Sequence, residues 1–277
     1  MKEILLFLAP PITASLLLAG ILGYFGTHIL SRGIIFIDIA VAQIAALGTM
    51  IGLLLGFAEE SGQVQLLSYL FTLVVIGSFS FLNTKNLFIP PEAVIGIIYC
   101  IGLALALLLA EYIPGGSAYI TKSITGNILW VTWDKVLNCA MLFSVIGLIH
   151  IILGNKFIAI SDPETRFAIP GKKTKLLDLV FYLTFGIVVV KTVLVGGIFL
   201  VFTLLIAPSA AASMLFNSWK NKIIWSWIFG GIGTLTGILI SYYMNISNGP
   251  AIVCLLGLFV FVLAFTKIFI PSKSSTN

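Results

Sequence analysis

Of the 277 residues 60% are hydrophobic and only 9% are charged, against roughly 25% charged in a soluble domain; this excludes an ordinary soluble protein and places the chain in a membrane. The net charge of +5 is no signature of nucleic-acid binding, because most bases fall in short stretches between apolar runs, where the orientation rule for membrane loops puts them. The apolar runs are continuous rather than alternating, which favours an all-α polytopic helical bundle over a β-barrel, and at about 20 residues per crossing the chain has room for roughly eight to ten spans.

In chain order, the first span is expected at about Ile4 to Tyr24. It is longer than a signal peptide's apolar core, Pro10 and Pro11 interrupt it, and more spans follow, so it reads as a retained span. A turn, Gly26 to Gly33, leads to the second span, Ile34 to Phe57, which holds Asp38 and Gln43 among apolar residues. A carboxylate at membrane depth costs several kcal/mol and so faces a cavity or the bundle interior. After an acidic loop with Glu59 and Glu60, spans three and four are expected at about Val64 to Leu82 and Ala93 to Leu109. Glu111 to Asp134 is a polar interruption with Trp130 and Trp133, residues that favour the membrane interface. Span five, about Val136 to Leu153, precedes the most polar stretch of the chain, Gly154 to Lys175. Leu177 to Ser213 is too long for one crossing: at 1.5 Å per residue a single helix would be about 55 Å long, against a core of about 30 Å. It must turn near Lys191 and Gly196-Gly197, as two short spans (about 177–192 and 198–213) or as one span plus a re-entrant helix. The last two spans are expected at about 223–244 and 250–269. The total is nine spans, or eight with a re-entrant helix, in a single membrane domain over 1–277.

Placing the turn at 26–33 in the cytoplasm puts Arg32, Lys85, Lys156, Arg166, Lys172, Lys173, Lys175, Lys220, Lys222, Lys267 and Lys273 inside. Glu59, Glu60 and Glu111 fall outside, with only Lys2, Lys122 and Lys135 as clear bases. That is a positive-inside bias; with nine spans it sets the N-terminus outside and the C-terminus inside. Cys100, Cys139 and Cys254 lie in apolar runs without Cys-x-x-Cys spacing, so buried free thiols are expected.

The loop 154–175 carries a helix start. Asp162 is suited to an N-cap, Pro163 to the first helical position, and Glu164 to the first turn. Thr165 and Arg166 then precede Phe167, Ala168 and Ile169, and Pro170-Gly171 would end the helix. A short helix flanked by bases suits docking into a partner's groove; the plainer alternative is a helix lying at the interface.

Four stretches now carry a resemblance. They are YFGTHILSRGIIFIDIAVAQIAALG, PPEAVIGIIY, SITGNILWVTW, and DPETRFAIPG followed by VGGIFLVFTLLIAPSAAA, together about residues 20–215. In their order and spacing they resemble the permease subunit of bacterial ABC importers for zinc, manganese and iron. The resemblance implies a multi-pass protein of the bacterial cytoplasmic (inner) membrane that moves a divalent transition metal through a dimer-lined pathway. It further implies a second permease subunit, a cytoplasmic ATP-binding subunit, and an extracytoplasmic metal-binding protein. It makes Asp162, Pro163, Glu164, Arg166, Phe167 and Gly171 the coupling segment that sits on the ATPase. The sequence agrees independently on one point: it has no G-x-x-x-x-G-K-[ST] phosphate loop, so ATP is expected on the partner, no cofactor on this chain, and no catalysis by it.

The chain departs from the family where the metal should pass. The family's second span typically carries an Asp and, four residues on, a His, a pair that shares one helix face and suits a transition metal. Aligned on Phe36 and Gly48, this chain has Ile39 and Gln43 there, with Asp38 one residue early. Asp38 and Gln43 are about 140° apart around a helix. Three readings stay open: Asp38 serves the pathway with waters or the other subunit's ligands, the substrate differs from that of typical members, or Asp38 is structural, paired to Arg32 or backbone. Met50 shares the face of Gln43 and offers a thioether, though Met is more often packing. The candidate pathway residues are therefore Asp38, Gln43 and Met50. His28 reads as a loop or interface residue, His150 has no metal-spaced partner, and Glu92 stabilises a helix N-terminus. Lys191 snorkels from a turn or pairs inside the bundle. Gly230, Gly233 and Gly237 permit close helix contact. The rival functions are a gradient-driven carrier of a small ion or solute, which would need no ATPase, and a membrane-embedded enzyme, which would need clustered acid, base or metal ligands.

Overall fold

The computed structural model describes residues 2–80, 89–126, 128–166 and 171–269. Among them every regular element is helical: α1 Lys2–Arg32, α2 Ile37–Leu54, α3 Gly62–Phe79, α4 Pro91–Ala110, α5 Gly116–Thr125, a 3₁₀ turn Ile128–Trp130, α6 Trp133–Ser161, α7 Pro163–Arg166, α8 Gly171–Gly196, α9 Ile198–Leu215, α10 Trp219–Met244 and α11 Asn248–Phe269. All but α5, the 3₁₀ turn and α7 are long and apolar enough to cross a bilayer, which makes nine candidate spans. Helices dominate because in lipid each backbone N–H and C=O must be satisfied within its own segment.

The span count agrees with expectation, while several boundaries move. The expected turn at 26–33 is helical almost to its end: α1 runs unbroken to Arg32 and the chain turns at Gly33, φ 67°. Likewise α6 passes the expected end at Leu153 and stops only at Ser161, before Asp162-Pro163. The polar run expected as a loop from Gly154 is therefore helix as far as Ser161. A helix continues until a residue breaks it, whether or not the bilayer has ended. Leu82, Lys85, Phe167 to Pro170 and Lys273, which entered the expectations above, lie outside the described residues.

The break between the sixth and seventh spans falls at Gly196-Gly197, as expected, and Lys191 lies inside α8 rather than at the turn. Gly197 (φ 78°) presses its backbone onto Gly126 (φ 69°). Both the left-handed conformation and the backbone contact demand glycine. The polar interruption at 111–134 holds a further helix, α5, that the sequence reading left out.

Burial separates an inner from an outer set of spans. The share of buried residues is 78% for α2 and 67% for α8, against 22% for α4 and 17% for α11, so α2 and α8 form the inside of the bundle and α4 and α11 its periphery. A large apolar core joins α1, α2, α6, α8 and α9. Small residues set the closest approaches. A β-carbon on Gly48 would lie 2.8 Å from the Leu67 carbonyl oxygen of α3, and one on Gly237 would lie 2.5 Å from Ile252 of α11. All three cysteines are free, but only Cys139 is buried; Cys100 and Cys254 are exposed on the outer helices.

Phe7 meets Trp130 edge-on, and Lys267 bonds the Met214 carbonyl.

Candidate functional site

Among the described residues, polar chemistry concentrates in the second span, at the end of the bundle expected to face the cytoplasm, and in a cavity at the end expected to face outside.

In the second span, Asp38 sits in the first turn of α2, is 1% exposed, and has one carboxylate oxygen, Oδ1, without a hydrogen-bond partner. It does not pair with Arg32, which is engaged by Asp178; the other structural alternative, pairing with nearby backbone, stands, since the backbone N–H groups of Asp38 and Ile39 interact with the carboxylate. Because α2 is one uninterrupted helix over Ile37–Leu54, Asp38 and Gln43 keep their angular separation of about 140° and are not brought together. Gln43 faces α4, its β-carbon 3.3 Å from where Gly102 would carry one. Met50 is fully buried on the same side with Leu47, Ala106, Ala110 and Ile120. The small-residue side of α2 is packed against α3, where Ser68 donates a 3.0 Å hydrogen bond to the Ala45 carbonyl.

At the end expected to face the cytoplasm a buried ion network has formed. Asp178 of α8 accepts from Arg32 of α1 at 2.8 Å and from Arg166 of α7 at 2.7 Å. The Arg32 and Asp178 side chains are nearly solvent-free. Arg166 also donates to the Ile160 carbonyl at 2.6 Å, and Arg32 donates to Ser161 at 2.9 Å while its guanidinium stacks 3.9 Å over the Phe181 ring. Two cations on one carboxylate satisfy both of its oxygens, the condition under which a buried charge is tolerated. His28 is a buried helix residue rather than a loop residue, its Nδ1 2.9 Å from Ser161 Oγ. His150 bridges Tyr24 (3.0 Å) and Thr184 (2.8 Å). Neither histidine belongs to a metal-binding trio; among the described residues no group of three His, Cys, Asp or Glu side chains exists.

The expected coupling segment is in place as far as it is described. Asp162 Oδ1 accepts from the Glu164 N–H at 3.0 Å, Pro163 opens α7, and Thr165 donates to the Ala159 carbonyl at 2.8 Å. Gly171 is the first residue of α8, and residues 167–170, over which the expected helix end falls, lie outside the described residues. The sequence reading missed Asp178, Arg32, Ser161 and Tyr24 as a connected group. One signal was present: an acid inside an apolar run requires a cation, and Arg32 and Arg166 are the bases that end up beside it.

At the end expected to lie outside, here called the outer mouth, there is a cavity of about 500 Å³ between α2, α3, α5, α6 and α8, with Thr49, Ser68, Tyr119, Trp130, Asn138 and Lys191 in its lining. Two ion pairs rim it, Glu59–Lys122 at 2.6 Å and Glu60–Lys135 at 3.1 Å. The Lys135 hydrogen bond and charge hold the Glu60 carboxyl below its ordinary value.

Comparison with known proteins places this geometry. The sequence model of the ABC 3 transport family matches residues 5–267. The manganese transport system membrane protein MntC of Listeria monocytogenes is 26% identical over 268 residues, covering 96% of this chain and 92% of that protein. A Haemophilus influenzae protein named "Probable iron transport system membrane protein" is 27% identical over 192 residues, 69% of this chain and 67% of that protein. Among solved structures, PsaBC from Streptococcus pneumoniae in complex with a Fab superposes with a TM-score of 0.74 at 23% identity, covering 93% of this chain and 90% of that one. A transporter described as of metal-chelate ABC type, in an inward-facing conformation, gives 0.71 at 19% identity, with coverage of 93% and 85%.

Proposed function

We propose a function on one premise: the chain belongs to the ABC 3 transport family. It is a multi-pass membrane protein, the permease subunit of a bacterial ABC transport system, and not itself the catalytic subunit. Our reading goes further: this permease imports a divalent transition metal, zinc, manganese or iron, through a pathway formed with a second permease subunit. Manganese and iron are the metals named for its relatives. ATP is hydrolysed on a separate cytoplasmic subunit, and an extracytoplasmic metal-binding protein delivers the ion. The whole of 1–277 acts as one permease domain.

The observation that carries this reading is the cytoplasmic network. A coupling segment can act only if its motion reaches the spans, and Arg166 of α7 shares the Asp178 carboxylate with Arg32 of α1. One short helix is thus linked to two spans through a single charge. In this mechanism the segment Asp162, Pro163, Glu164, Arg166, Phe167 and Gly171 docks on the ATPase. ATP-driven closure shifts α7, and the shared carboxylate passes the shift to α1 and α8, switching access. Asp38, Gln43 and Met50 remain the proposed pathway positions. The support for Asp38 is its unpartnered, buried Oδ1, whose lone pairs a passing cation would satisfy. Gln43 supplies a neutral amide and Met50 a soft thioether.

The test is uptake of radioactive manganese, iron and zinc by cells with and without this chain and its ATPase. ATPase-dependent uptake of at least one metal is expected. Uptake that persists without any ATPase would favour the gradient-driven carrier instead, and no dependence for any metal would remove the substrate assignment.

A further inference from the structure

Ser161 stands at a joint. It is the last residue of α6, Asp162 after it is extended (ψ 121°), and Pro163 opens α7. Arg166 lies on the far side of that joint, and the two sides reach the same ion pair. Arg166 grips Asp178 at 2.7 Å, while Ser161 holds Arg32 at 2.9 Å. Arg32 needs holding: it is the last residue of α1, and its long side chain has much rotamer freedom to lose. Its Nη1 goes to Asp178, and its Nη2 has no hydrogen-bond partner among the described residues. The bond from Nε to Ser161 therefore fixes how the guanidinium lies over Phe181.

The hydrogens of this cluster can be placed. An arginine N–H only donates, so Ser161 Oγ accepts from Arg32. The hydroxyl's own hydrogen then has His28 Nδ1 as its acceptor, 2.9 Å away. His28 lies one turn before Arg32 on the same face of α1. It is fully buried, 5.5 Å from the Phe181 ring and 5.0 Å from the Trp219 ring of α10. With Nδ1 accepting, the imidazole is neutral and carries its hydrogen on Nε2; an imidazolium would offer no acceptor and would stand one turn from a second cation. The donors run one way, from Arg32 to Ser161 to His28, and hydrogen bonds aligned in a chain strengthen one another. Tyr24 and His150 tie α1 to α6 a second time, at 3.0 Å.

We infer that Ser161 and His28 are positioning residues of the coupling device: together they lock Arg32 to the end of α6, so that movement of α7 about Asp162 reaches α1 through Asp178 without slack. Without them Arg32 swings, and the shift of α7 is absorbed by its side chain. The inference rests on the coupling reading above and adds the residues that regulate how tightly ATP hydrolysis is tied to transport.

The transporter, reconstituted in liposomes with its ATPase and binding protein, is given manganese(II), iron(II) and zinc(II), and the metal moved per ATP hydrolysed is measured. Ser161→Ala and His28→Leu should each lower that ratio about fivefold or more while ATP hydrolysis persists, the effect of one lost hydrogen bond in a charged chain. The double variant should be no worse than the poorer single one, because both remove the same link. Ser161→Thr keeps the hydroxyl, and His28→Asn puts an acceptor oxygen where Nδ1 stands, so both should retain most of the ratio; a merely structural role would not follow the hydrogen bond in this way. Amide hydrogen exchange over residues 29–33 needs no metal and should quicken about tenfold in Ser161→Ala. An unchanged ratio in Ser161→Ala overturns the inference, as do losses that add in the double variant, a His28→Asn ratio as poor as that of His28→Leu, or unaltered exchange. If the unaltered transporter moves none of the three metals, the import reading fails by itself and the exchange measurement decides the positioning role.

Discussion

Asp178 and Asp38 are both buried acids, and their surroundings give them opposite roles. Asp178 is fully engaged by two guanidinium groups, so removing its charge leaves Arg32 buried without compensation. Breaking such a pair costs about 3–5 kcal/mol. Asp178→Asn is therefore expected to lower the melting temperature of the detergent-solubilised protein. In whatever protein survives, ATP hydrolysis by the partner should persist while metal uptake falls, because α7 is then detached from α1 and α8. Retained coupling would show that the network is only structural. Asp38 carries an oxygen without a partner, so an isosteric amide there removes little native bonding. Asp38→Asn should change the melting temperature by less than Asp178→Asn does, yet reduce metal uptake about tenfold or more, the loss expected when a charged ligand becomes neutral. Unchanged uptake would return Asp38 to a structural role. The sequence made Asp38 conspicuous because it stands alone in its span; it could not say that Arg32 would be taken by an acid 146 residues away.

Among the elements, α2 owes its place to small residues. Gly48 lets it approach α3 so closely that an added β-carbon would meet backbone, at 2.8 Å from the Leu67 oxygen and 2.9 Å from the Ser68 α-carbon. Neither atom is the far end of a flexible side chain, so the helices must separate. Gly48→Ala should destabilise by about 1–3 kcal/mol, read as a lower unfolding midpoint, whereas the same change at Gly147, which meets nothing within 4 Å, should be neutral or better. The start of α7 was legible because an N-cap, a proline and an acid are local chemistry; loss of the cap in Asp162→Ala should cost about 1 kcal/mol and weaken co-purification with the ATPase. The lengths of α1 and α6 were not legible, since hydropathy registers the bilayer's thickness while the backbone helix runs on to Gly33 and to Asp162-Pro163.

Among the described residues there are nine candidate spans, an odd number, and if each crosses once the termini are expected on opposite sides. Exposed ion pairs at Glu59 and Glu60 rim the cavity on the face expected to lie outside. The depressed carboxyl of Glu60 means that its pair is present above the ordinary glutamate range and is lost as pH falls through the lower, folded value. Orientation is testable in intact cells. A cysteine replacing Glu60 should react with a membrane-impermeant maleimide, and one replacing Lys220 should react only after permeabilisation. The reverse pattern would invert the topology.

The sequence by itself determined the class, a span count of nine or eight, a turn near Lys191 and Gly196-Gly197, and the beginning of α7. Each of these depends on properties of adjacent residues: the length of an apolar run, a glycine pair, a capping side chain. Only the tertiary structure decided which face of α2 meets α3 and which meets α4, that Arg32 serves Asp178 and not Asp38, and that Lys191 stands in the outer mouth with no carboxylate beside it among the described residues. Those are contacts between residues far apart in the chain, and a membrane supplies no hydrophobic drive to choose among helix neighbours. The choice falls to close packing and to the pairing of buried charges, which become defined only when all the spans are together.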